Sequence, residues 1–142
     1  AILLNDGRVQ DADGMAGVKF YSLTPGTPYY FVVRHRNHLA VITATAQTLS
    51  NGMTVDFTTP ATVMLGTVQM KPLPGGAYAL IAGDMNANGV ISVSDFNLYR
   101  LQSALLNGYY AADVNLDDSV TVSDFNLYYP NASVIGVSFI RY

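Results

Sequence analysis

One segment of this chain occurs twice, and no other feature limits its fold as tightly. Asp84–Tyr99 returns 29 positions later as Asp113–Tyr128, and the seven residues Val93–Tyr99 and Val122–Tyr128 are identical. Each copy opens with Asp and Asn at alternating positions and closes on an apolar run that reads as the start of a helix. Ser94 or Ser123 can cap that helix, and Asp95 or Asp124 is favourable in its first turn. The first helix can run to about Leu106, where Asn107-Gly108 offers a stop. The second meets Pro130 early.

The spacing within each copy has a chemical meaning. In a tight loop, side chains at every second position can aim oxygen at one centre, and calcium takes six to eight hard oxygen ligands. In the first copy these are Asp84, Asn86, Asn88, the Val90 carbonyl, Ser92 and Asp95. Asp113, Asn115, Asp117, the Ser119 carbonyl, Thr121 and Asp124 match them in the second. Gly89 permits the sharp turn at the sixth position, whereas the second copy has Asp118 there, a residue that tolerates left-handed backbone better than most. Ile91 and Val120 are expected to pack inward. Asx-rich turns ahead of ordinary capped helices are the plainer alternative, and two copies in register weigh against it. The pattern predicts two calcium ions. Counting carboxylates, two in the first loop against three in the second, predicts tighter binding in the second.

A loop followed by one helix, duplicated, with Asp rather than Glu at the twelfth position, resembles the dockerin-type calcium repeat. The resemblance covers about 83–129. It implies that Asp84, Asn86, Asn88 and Asp95, with Asp113, Asn115, Asp117 and Asp124, supply the side-chain ligands. It also implies secretion, since millimolar calcium is extracellular. Residues 25–39 more loosely resemble the Ig-like sandwich that precedes such repeats in large secreted bacterial proteins. Dockerins that bind cohesins dock through two fairly long helices, and Pro130 shortens the second one here.

Residues 1–80 read as antiparallel β structure. Short apolar or alternating runs at Ile2–Leu4, Val18–Tyr21, Tyr29–Arg36, Leu39–Ala44, Met53–Thr58, Thr62–Leu65 and Ala77–Ala82 are separated by turn formers. Asn51-Gly52 is the strongest hairpin signal. The expected architecture is therefore mainly β plus small α: a β-sandwich over 1–80, a loop–helix pair over 81–130, and a C-terminal strand over 131–142. The tail Ser133–Tyr142 is β-branched and aromatic, with no evident partner in the repeat, so it is expected to be a donor strand for another copy. The opening Ala1-Ile2-Leu3-Leu4-Asn5 carries no Met or basic stretch and reads as a processed start.

Composition narrows the function classes. All ten acidic residues are Asp, and six of them lie in the two loops. With no Glu, no Cys and only two His, general acid–base or thiolate chemistry has few actors, so a non-catalytic protein is expected. His35 and His38 read as ordinary strand and turn residues. A net charge of −3 gives no footprint for nucleic acid, and no apolar run is long enough to span a membrane. Charged residues are 12 % of the chain, against about 25 % in ordinary domains, so some apolar surface is expected to meet another chain. Copies of itself, joined into a filament by β-strand addition, are the first partner expected. A cohesin-like or cell-surface receptor is the alternative.

Overall fold

The computed structural model describes residues 1–4, 8–59, 69–76, 78–138 and 140. It is mainly β with little α: several short antiparallel strands and two helices. The chain divides into two compact units, Ala1–Tyr29 with Gln47–Val55, and Tyr30–Ala46 with Asp56–Tyr142.

In the first unit, β1 (Ile2–Leu3) pairs with β2 (Val9–Gln10), and β3 (Pro28–Tyr29) pairs with β6 (Gln47–Thr48). The expected strand at Val18–Tyr21 does not form. Phe20 and Tyr21 are exposed, so the run lacks the half-buried surface that makes an aromatic residue favour a strand. Asn51-Gly52 does turn, with Gly52 at φ +73°, but it joins no pair of strands.

The second unit is organised around β5 (His38–Ile42), which pairs with β4 (Val32–His35) through a tight turn at Arg36-Asn37. β5 is buried on both faces, because alternate side chains enter different clusters. Leu39 joins Ile81, Met85, Ile91, Val114, Val120 and Tyr128 in the main core. Val41 packs with Met70, and Ala40 and Ile42 pack with Val137 and Ile140 of the tail. A second ladder, β7 (Met70–Pro72) with β8 (Tyr78–Leu80), delivers Ile81 to the far edge of β5, where its carbonyl accepts from Leu39 N at 2.8 Å. Further along that strand the side-chain amide of Gln69 bonds both backbone groups of Ile42, accepting from its N–H at 2.7 Å and donating to its carbonyl at 3.3 Å. Met53–Thr58, expected as a strand, is irregular. Asp56 explains this: its carboxylate accepts from the Thr58 N–H at 2.8 Å and from its hydroxyl at 2.6 Å, a local bond that competes with a ladder. Thr62–Leu65 lies outside the described residues.

Two helices follow, α1 (Val93–Gln102) and α2 (Val122–Tyr128). α1 ends before Leu106, because the chain turns at Ala104 (φ +69°) and pairs with the second loop. Ala104 N donates to Val120 O at 2.9 Å, Val120 N donates to Leu105 O at 2.8 Å, and Leu106 bridges Ser119. After α2 and a 3-10 turn at Tyr129–Asn131, the tail repeats this arrangement against the first loop. Ser133 N donates to Ile91 O at 2.8 Å, Ile91 N to Val134 O at 2.9 Å, and Ile135 bridges Val90. Every one of these partners is displaced by 29 positions from its counterpart. The expectation of an unpartnered C-terminal strand is therefore corrected. The tail forms one bridge rather than a strand, and residues 133–135 are the second copy of 104–106. The repeat extends beyond the identical residues, and each post-helical segment closes the other copy's loop.

Candidate metal centre

Both loops adopt the same backbone. Positions four (Ala87, Leu116) and six (Gly89, Asp118) are left-handed in each, with φ between 55° and 86°. For the three non-glycine residues this conformation costs on the order of 1 kcal/mol apiece. It recurs in both copies because the loop's own acceptors hold it. Asp84 takes the N–H groups of Asn88 and Gly89, both at 2.9 Å. Asp113 takes those of Asp117 and Asp118 at 3.1 and 3.2 Å. Asn86 Oδ1 accepts from Asn88 N, and Asn88 Oδ1 from Val90 N; Asn115 and Asp117 do the same one copy later.

The twelfth residue closes each loop. Asp95 accepts from Asn86 N at 3.1 Å and Ser92 N at 2.8 Å. Asp124 accepts from Val114, Asn115 and Thr121 N at 2.7, 3.1 and 2.8 Å. Ser92 and Thr121 are the helix N-caps, each in a reciprocal capping box with that Asp. The caps are thus two positions earlier than Ser94 and Ser123, because the loop's last extended residue, not the first helical one, has the backbone a cap requires.

The resulting sites have a buried floor and an open lip. Asp84, Asp95, Asp113 and Asp124 are completely buried. Asn86, Asn88, Asn115 and Asp117 are exposed, and Val90, Ser92, Ser119 and Thr121 are half-buried. Burial, followed by the like charge of Asp95, pushes the Asp84 carboxyl above its ordinary range, while bonds from Gly89 and Asn88 pull it back. Among the described residues no three carboxylate or imidazole groups form a cluster. Each loop instead combines two buried carboxylates with exposed carboxamide or carboxylate, hydroxyl and carbonyl oxygen. An all-oxygen set of this kind fits calcium, which accepts carbonyl and carboxamide oxygen alongside carboxylate.

The copies also pack together. Phe96 and Phe125, equivalent residues of α1 and α2, meet at 6.0 Å, and Tyr99 lies 5.6 Å from Phe125. Tyr128 Oη donates to Ser92 O at 2.9 Å, tying α2 to the exit of the first loop.

Sequence reasoning missed two contributors. Asn37, fully buried in the β4–β5 turn, donates through Nδ2 to the carbonyls of Ala111 at 3.0 Å and Asp113 at 2.6 Å. Arg36 places Nη2 3.2 Å from Asp113 Oδ2 and stacks 3.7 Å over the Tyr109 ring. Only the sparing use of cations, seven Lys and Arg in the chain, marks Arg36 in the sequence. The neighbouring histidines are neutral packing partners. A bond from His38 Nδ1–H, shared between Asn37 Oδ1 at 2.8 Å and His35 Nδ1 at 2.9 Å, satisfies all three groups. Burial, with help from His35 and Arg36, lowers the pKa of His38 to about 4.

No family model matches the chain, and comparison with characterised proteins and with solved structures also finds no match. No helix among the described residues is long and apolar enough to cross a membrane.

Proposed function

We propose that this protein is a secreted, non-catalytic module that binds two calcium ions, one in each loop, and uses them to hold a rigid docking or anchoring element. One observation carries the reading: four fully buried carboxylates at matching positions of two superposable loops, with one protein cation beside them. Burying a carboxylate is costly unless a cation or several donors compensate. Backbone N–H groups meet part of that cost, and calcium would meet the rest. The paired loop–helix arrangement supports the resemblance to dockerin-type repeats, as do the exposed Val93 and Val122, 71 % and 64 % accessible, at equivalent places on the two helices. The partner would then be a cohesin-like or surface receptor protein, engaged outside the cell. Calorimetry tests the calcium reading: two binding events are expected on titration of metal-free protein, one of which disappears in Asp84→Asn. A flat titration refutes it.

Homopolymerisation by strand addition is a second reading, drawing on the scarcity of charge in the chain. Val137 and Ile140 fill the surface over Ala40 and Ile42 from within the same chain, and the corresponding residues of a neighbouring copy could fill it instead. Electron microscopy distinguishes the two. Filaments that vanish on deletion of residues 137–142 support polymerisation, and a monomer in calcium supports the anchor.

A further inference from the structure

The two loops share a cage but not their surroundings. The entry to the first is held by Asn131, whose Nδ2 donates to Ala82 O at 2.8 Å. The entry to the second is held by the equivalent residue Gln102, whose Oε1 accepts from Ala112 N at 2.9 Å. The second then has an additional clamp without a counterpart among the described residues of the first: the turn Arg36-Asn37. Asn37 fixes the two carbonyls of that entry, and the guanidinium bonds the carboxylate of its first ligand position. The nearest cation to the first loop's clamp, Lys71, bonds Asn131 Oδ1 at 2.9 Å rather than Asp84.

We propose that Arg36 is a resident counter-cation for the second loop: it neutralises Asp113 when calcium is scarce, competes with the ion for Asp113 Oδ2, and so makes the first loop fill first. This rests on the calcium reading above, and it reverses the order that carboxylate counting alone predicts. The second loop has three acidic ligand side chains to the first loop's two, but one of the three already faces a fixed positive charge. Arg36 is well placed to persist there. Its side chain is largely buried, its face lies on the Tyr109 ring, and its Nε is buried without a hydrogen-bond partner among the described residues, so it holds its position through Asp113 and the ring. A divalent ion arriving at Asp113 must share that oxygen or displace the guanidinium, and either weakens its binding.

The test is calcium calorimetry on the full chain, with Asp84→Asn and Asp113→Asn assigning the sites, alongside Arg36→Met, which keeps an apolar stem over Tyr109 without the charge. Wild type should show two affinities at least tenfold apart, the stronger lost in Asp84→Asn and the weaker in Asp113→Asn. Arg36→Met should tighten the weaker site about tenfold while lowering the melting temperature in chelator, where Asp113 loses its counter-charge. Arg36→Lys, a conservative check should the Met variant fold poorly, should keep the weaker site weak. Two calcium sites with the second unchanged or weakened in Arg36→Met would overturn the counter-cation role and leave the calcium reading standing. No binding to wild type would overturn both.

Discussion

The two loops form a natural internal experiment, since nearly the same peptide folds twice within one protein. Their hydrogen-bond cages agree donor by donor, down to left-handed backbone at Ala87 and Leu116. What differs comes from outside. The first loop is closed by the tail after α2, and the second by the segment after α1 and by the β4–β5 turn. The comparison shows that a short motif can fix its own conformation while the remainder of the chain sets its electrostatics. Conformation is decided by acceptors two to five residues away, whereas charge balance is decided by a residue 77 positions distant.

The comparison is broken most severely by removing the closing carboxylates. Asp124→Ala orphans three backbone N–H groups and Asp95→Ala two, each buried donor costing about 1–3 kcal/mol. Both variants should lose stability in chelator as well as in calcium, Asp124→Ala more, as read by urea unfolding; equal and small losses would mean that the cages are not structural. Next comes the ion itself. Calcium at a hundredfold excess over its dissociation constant should stabilise by about 2.7 kcal/mol per site. Asp84→Asn should remove one such increment from thermal melts in calcium and change the chelator melt by only about 1 kcal/mol, because relief of a buried charge offsets the lost Gly89 acceptor.

A third effect belongs to the second loop's clamp. His38 has a lowered pKa in the folded protein, so its neutral form favours folding. That stability is complete above the ordinary value of 6.5 and is lost as pH falls from there towards about 4. Allowing for partial exposure, the loss should reach about 2 kcal/mol in chelator, and His38→Gln should flatten the profile over that window. Asp84, shifted upwards, acts in the opposite sense at the acid end. The smallest change is at the caps: Ser92→Ala and Thr121→Ala should each cost about 1 kcal/mol by urea titration, and unequal costs would show that the copies are less alike than their bonds.

Much of the loop pair was legible because its determinants are local. Alternating Asx residues, a turn at the sixth position and a helix behind it are all read within a dozen residues. The β4–β5 hairpin was legible for the same reason, from Val32 and Val33 through Asn37 to Leu39–Ile42. β7 was missed, since Met70-Lys71-Pro72 lacks both length and alternation and becomes a strand only by pairing with β8. The tail was misread because residues 133–135 share geometry but no obvious sequence with 104–106, so only the pairing reveals them as a repeat. Arg36 and Asn37 carry no local signature of what they hold.

The reciprocal closure of the loops bears on how the protein is made. A ribosome delivers a chain from its amino end, and by the time Asp124 emerges the second loop already has Asn37, Gln102 and the strand-like segment at Leu105–Leu106 waiting for it. The first loop, though translated earlier, stays open until Asn131 and Val134 arrive. Assembly therefore runs counter to the order of synthesis, and a nascent chain paused between the two helices would hold its earlier site unfinished.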